Sequence, residues 1–103
     1  MKKTNVVWST EAIVDLEIIY DFLAENSQQA AIRIIECILS RIKQIESFPE
    51  SGGKQATLRN REKDYRYLVE GNYKIIYWYD KDVHSAYILT IFDTRNNPEK
   101  LKV

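Results

Sequence analysis

The side chains in this sequence best suited to binding or catalysis are cations set among aromatic residues. Between Lys54 and Arg66 five basic residues (Lys54, Arg59, Arg61, Lys63 and Arg66) face only two acidic ones, Glu62 and Asp64. Arg66 opens a β-prone run, Lys74 stands inside the next one, Tyr73-Lys74-Ile75-Ile76-Tyr77, and Arg95 follows the last, in Phe92-Asp93-Thr94-Arg95. Cations on neighbouring strands can collect on one face of a sheet and raise a local positive potential there. Trp78 lies close by in sequence, so that surface would be basic and aromatic together. His84, the sole histidine, sits in the turn-like stretch Asp82-Val83-His84-Ser85, a setting in which histidine is far more often solvated than catalytic. Cys37 is the only cysteine, which excludes an intramolecular disulfide and a cysteine-based zinc site. It reads as a small, half-buried filler. No metal and no cofactor are expected.

Three runs rich in Tyr, Ile and Val must carry these cations, about Tyr65–Val69, Tyr73–Tyr79 and Ala86–Phe92, and their short connections predict an antiparallel meander. The first connection decides which side chains share a face. A two-residue loop, Gly71-Asn72, would pair Glu70 with Tyr73 and put Arg66 and Lys74 on opposite faces. A three-residue loop, Glu70-Gly71-Asn72, would pair Val69 with Tyr73. Arg66, Glu70, Lys74 and Asp80 would then share one face with Leu68, Ile76 and Trp78, leaving an uncharged face of Tyr65, Tyr67, Val69, Tyr73, Ile75, Tyr77 and Tyr79 to cover the helices. The second register is expected, because it sorts the charges. Arg95, past the third run, would approach the same charged face.

Upstream, Asn5–Ser9 reads as a short strand running into a helix of about Thr10–Glu25, with Ser9 or Thr10 as N-cap. One stripe of that helix is Ala12, Leu16, Ile19, Tyr20 and Leu23. A second, Val14, Ile18 and Phe22, lies roughly opposite and is bordered by Glu11, Asp15, Asp21 and Glu25. The i, i+4, i+8 spacing of that acid-set strip suits an amphipathic partner segment carrying basic residues. After the break Asn26-Ser27-Gln28, a second helix of about Gln28–Ser47 closes at Phe48-Pro49. Its wide apolar arc, Ala31, Ile34, Ile35, Ile38, Leu39, Ile42 and Ile45, can touch a sheet and the first helix. Glu50–Asp64 has no periodicity and reads as a basic loop.

The expected fold class is α+β: an N-terminal strand and a two-helix hairpin packed on a mainly antiparallel sheet with a C-terminal three-stranded meander. The length of 103 residues matches one domain, 1–103. Fifteen basic residues balance fifteen acidic ones, so a protein that coats polyanions uniformly is excluded and any basic site is local. No run approaches the ~20 apolar residues of a membrane span, and the start lacks the apolar stretch of a signal peptide. A cytoplasmic location without a membrane partner is the expectation.

The order of elements, with Trp8-Ser9, Ala12 and Asp15-Leu16, Phe48-Pro49-Glu50-Ser51-Gly52, Arg66-Tyr67-Leu68-Val69, Tyr73-Lys74-Ile75-Ile76-Tyr77 and Asp93-Thr94-Arg95, resembles the RelE/ParE superfamily of toxins from type II toxin-antitoxin modules. The resemblance implies a toxin neutralised by a cognate antitoxin, for which Val14, Ile18 and Phe22 are the candidate contacts. RelE-like members cleave mRNA on the ribosome, whereas ParE-like members inhibit DNA gyrase. On the RelE-like alternative, the resemblance makes Arg66, Lys74 and Arg95 the catalytic cations, with Lys54, Arg59, Arg61 and Lys63 as a basic loop touching RNA or another target. RNA cleavage by a 2′-hydroxyl needs a base, an acid and cations for the phosphorane charge. Arginine is not a base at neutral pH, and a lysine needs a lowered pKa to act as one. Leu68 stands where RelE has a second lysine, and no Tyr or His follows Arg95. A ParE-like inhibitor is therefore the expectation.

Overall fold

The computed structural model describes residues 3–55 and 63–95. In chain order the elements are β1 (Asn5–Trp8), α1 (Thr10–Ala24), α2 (Gln28–Ser47), β2 (Gly53–Lys54), β3 (Asp64–Glu70), β4 (Tyr73–Asp80) and β5 (Ser85–Asp93). They build an α+β fold in which the sheet order is β1-β5-β4-β3-β2. β1 runs parallel to β5 and every other pair is antiparallel. The expected strand, helical hairpin and meander are present. The basic loop region differs from expectation in containing β2, which pairs Gly53 with Tyr67 and Lys54 with Arg66.

Both helices begin at a serine. Ser27 accepts from the Ala30 amide at 3.1 Å. Ser9 accepts from the Ala12 amide at 3.0 Å and donates its hydroxyl to the Leu89 carbonyl at 2.9 Å. Leu89 is the residue left over where the β4–β5 register jumps from Ile76↔Thr90 to Tyr77↔Ile88. The cap that starts α1 thus also ties it to a β-bulge.

The core lies between the hairpin and one sheet face. Ala12 and Ile19 of α1 and Ile38, Ile42 and Ile45 of α2 pack against Leu68, Ile75, Tyr77, Ile88 and Ile91. Each fully buried aliphatic side chain in such a layer contributes about 1.5–3 kcal/mol. One carboxylate joins it. Asp15, expected to border the exposed strip of α1, is buried and accepts from the Thr90 hydroxyl at 2.7 Å and the Ile91 amide at 3.0 Å. Those bonds offset the cost of dehydrating the charge. Two residues of α2 also depart from expectation: Cys37 is exposed, not half-buried, and Leu39 faces solvent, not the core. Each lies about 100° around the helix from the buried Ile38, Cys37 on one margin of the stripe and Leu39 on the other.

The β3–β4 turn overturns the expected register. Glu70 pairs with Tyr73, so the loop is the two-residue Gly71-Asn72. Gly71 takes φ = +59°, the left-handed geometry that a tight hairpin asks of its first loop residue and that glycine adopts at little cost. Cross-strand pairs share a face. The helix-side pairs are therefore Arg66↔Tyr77, Leu68↔Ile75 and Glu70↔Tyr73, and the outer pairs are Tyr65↔Trp78, Tyr67↔Ile76 and Val69↔Lys74. Charge sorting failed because β3, one strand in from the sheet margin, lets charges stay paired or solvated at the border of the helix layer. Glu70, for instance, meets Arg41 of α2 at 3.3 Å. No helix among the described residues is long and apolar enough to cross a membrane.

Candidate functional site

The register separates the two cations expected to work together. Arg66 lies on the helix side with only 11% of its side chain exposed. Its Nε donates to the Asp64 carboxylate at 2.8 Å, and one terminal nitrogen donates to the carbonyls of Glu50 at 2.7 Å and Gly52 at 2.9 Å. Beside it, the buried Tyr77 hydroxyl donates to the Pro49 carbonyl at 2.8 Å and accepts from the Gly52 amide at 3.1 Å. The segment Pro49–Gly52 is thereby held against the sheet. A Cβ at Gly52 would fall 2.6 Å from the Tyr77 hydroxyl oxygen and 2.7 Å from the Tyr67 carbonyl, so only glycine passes. Burial pulls the Asp64 pKa upward, but hydrogen bonds and charge from Lys54 and Arg66 outweigh it and leave the carboxyl below its ordinary range. Burial pushes the Tyr77 phenol up. These groups form a structural clamp that occupies Nε and one terminal nitrogen of Arg66, while the other lies 3.8 Å from the Glu50 carboxylate.

Lys74 lies on the outer face. Its ammonium sits 4.1 Å from the centre of the Tyr67 ring, and burial lowers its pKa. The Tyr67 ring can lie down there because Gly53 faces it: a Cβ on Gly53 would come within 2.9 Å of ring carbons. Farther along, Trp78 stacks on Tyr87 with ring centres 4.6 Å apart, and the Lys63 ammonium lies 5.0 Å from the Trp78 ring. The outer face is therefore basic and aromatic, as expected, but built from Tyr67, Lys74, Trp78, Tyr87 and Lys63 without Arg66. Ile76 and Phe92 on the same face are buried, so the accessible part is confined to its flanks.

Arg95 does not join Lys74 either. It forks onto Asp93, with Nε at 3.1 Å from one carboxylate oxygen and a terminal nitrogen at 2.9 Å from the other. Asp93 stands opposite Tyr73, on the helix side of the sheet. That hydrogen bond holds the Asp93 carboxyl below, and the Arg95 guanidinium above, its usual value. Arg66 pairs with Tyr77, four residues along β4 from Tyr73, or roughly 13 Å at strand spacing. The three cations meet at no common point. In the basic loop, Lys54 pairs with Asp64 at 2.6 Å, while Arg59 and Arg61 lie outside the described residues. Among the described residues no group of three or more His, Cys, Asp or Glu side chains is placed to share a metal ion.

On α1 the second stripe stands in the open: Val14, Ile18 and Phe22 are 43%, 60% and 58% exposed. Sequence reasoning missed the Tyr77 clamp because its partners are backbone atoms of the Pro49–Gly52 segment, and the Tyr67–Lys74 contact because it follows from the turn. The signal was there, since Gly-Asn between two apolar runs is a two-residue hairpin signature.

The profile of the family described as "ParE toxin of type II toxin-antitoxin system, parDE" matches residues 6–98. The chain belongs to the ParE toxin family. No curated protein sequence matches it. Among solved structures, the fold is similar to a chain of the RelBE2 toxin-antitoxin complex from Mycobacterium tuberculosis, with TM-score 0.65 and 18% identity over 88% of this chain and 98% of that one. It is likewise similar to a chain of the chromosomal ParDE system from P. aeruginosa, with TM-score 0.67 and 16% identity over 87% of this chain and 95% of that one. At such identities the likeness is one of fold. For this member of the ParE toxin family, the segment Phe48–Gly52 that carried the resemblance is the one seated by Arg66 and Tyr77.

Proposed function

We propose that this ParE-family chain is a growth inhibitor that acts by binding a target such as DNA gyrase, and that a cognate antitoxin neutralises it. The supporting observation is the separation of Arg66 from Lys74 across the sheet. An mRNA endonuclease of the RelE-like kind needs several cations around one phosphorane. Here one of them is spent on loop carbonyls, another is forked onto Asp93, and Lys74 rests on the Tyr67 ring. The lowered pKa of Lys74 is the one feature in favour of a general base, and among the described residues what its ammonium meets is the Tyr67 ring, not an acid or a second cation. A basic, ring-lined surface without a converging charge cluster suits contact with a macromolecule better than hydrolysis of one.

The test pairs a supercoiling assay on purified gyrase with primer extension on translated mRNA. Inhibition of supercoiling with no new mRNA ends is expected. Cuts at codon boundaries with unimpaired gyrase would overturn the proposal in favour of the ribosome.

The antitoxin contact is assigned to Val14, Ile18 and Phe22, whose exposure supports it. Ile18→Asp should weaken the toxin-antitoxin complex while leaving the isolated chain folded by circular dichroism. Unchanged affinity would move the contact elsewhere.

A further inference from the structure

α1 has a second apolar feature, on the flank opposite its exposed strip. A groove of about 540 Å³ opens between α1 and α2, lined by Leu16, Glu17, Tyr20, Asp21 and Ile35. Leu16 and Ile35 supply an apolar floor, Tyr20 a hydroxyl that accepts from the Gln28 amide at 3.2 Å, and Glu17 and Asp21 two exposed carboxylates. At 100° per residue, Glu17 and Asp21 fall between the groove residues Leu16 and Tyr20 and the strip residues Val14 and Ile18. They form an acidic ridge between two apolar tracks. Nothing on the helix neutralises it, because Thr10–Ala24 contains no lysine or arginine.

This arrangement selects an occupant. The groove asks for a side chain with an aliphatic stem, to cover Leu16 and Ile35, and a cationic head, to meet Glu17 or Asp21. Lysine and arginine have that build, laying their methylenes on apolar surface while the charge stays at the wet rim. A second copy of this chain is a poor occupant, because α1 against α1 would set acid on acid.

Resting on the antitoxin reading above, we propose that the antitoxin segment covering Val14, Ile18 and Phe22 is a helix bearing lysine or arginine, and that one such side chain crosses the Glu17–Asp21 ridge into the α1–α2 groove. Recognition then has two separable parts, an apolar track that holds the helix and a ridge that steers it and sets its register.

The experiment measures association of the purified chain with the antitoxin encoded by the adjoining gene of its module, across a series of NaCl concentrations. The double variant Glu17→Gln/Asp21→Asn should lower the on-rate by about tenfold at low salt and flatten its salt dependence, as loss of steering charge does. Glu36→Gln, an exposed acid on α2 outside this groove, should change neither. Replacing the lysines and arginines of the antitoxin segment one at a time by methionine should identify one residue whose loss reproduces the double variant and is not additive with it. An unchanged on-rate and salt slope in the double variant would overturn the groove assignment, even with Ile18→Asp still disruptive. If Ile18→Asp is also silent, the antitoxin reading of α1 fails as a whole. Concentration-dependent dimerisation of the isolated chain, abolished by Ile18→Asp, would assign the strip to a second copy instead.

Discussion

Arg66 and Lys74 stand on adjacent strands, in similar runs, yet they live in opposite worlds. Arg66 faces the helices and gives its donors to Asp64, Glu50 and Gly52. Lys74 faces outward and rests on the Tyr67 ring. The difference comes from one residue of loop length: the two-residue turn at Gly71-Asn72 turns every side chain of β3 over relative to the register that charge sorting favours. A cation in a strand is a site residue or a structural one according to its register. Its identity alone does not decide.

The comparison breaks most severely at Tyr77. Tyr77→Ala removes a buried ring and both hydroxyl bonds, and should cost about 3–5 kcal/mol in denaturant unfolding. Tyr77→Phe, losing only the hydroxyl, should cost about 1–3 kcal/mol. Arg66→Ala leaves two loop carbonyls without this donor and Asp64 with Lys54 in place of two cations, and should cost about 2–3 kcal/mol. Equal stability of Arg66→Ala and wild type would mean that the clamp is decorative. Gly71→Ala should cost about 1 kcal/mol, the strain of a Cβ at φ = +59°.

A pH effect follows from Asp64. Its carboxyl titrates lower in the folded chain than in the unfolded one, so the unfolded state binds more protons in between. The stability it contributes is complete above the unfolded carboxylate value and is lost as pH falls through the folded one. Asp64→Asn should flatten that acid limb in equilibrium unfolding; an unaltered limb would assign it to other carboxylates. Smallest in stability is Lys74→Ala, within about 0.5 kcal/mol of wild type. Its effect should appear instead as relief of growth arrest on induced expression. Full toxicity of Lys74→Ala would remove the outer face from the proposed function.

Element positions were legible where a local signal decided them. Ser9 and Ser27 mark both helix starts, Phe48-Pro49 marks the end of α2, and the odd positions of β4, Ile75 and Tyr77 among them, turn to the core as expected. Features that depend on distant partners were not legible. Asp15 reads as one more acid on the rim of the α1 strip, and only Thr90 and Ile91, on the last strand, make it a buried anchor. β2 is two residues long and carries no pattern. The outer face was correct as a chemical type and wrong in membership, because Tyr65 and Tyr67 were assigned to the core and Arg66 to the surface. The exposed strip of α1 was legible in full: its spacing has no use inside this core, and the fold leaves it bare.

The parallel pairing of Asn5–Trp8 with Ser85–Ile88 joins the first strand to the last. During synthesis Asn5–Trp8 therefore has no β5 partner until Ser85–Ile88 has emerged, and this edge of the sheet cannot close before then. Contacts of such long sequence separation form late and leave apolar surface uncovered meanwhile.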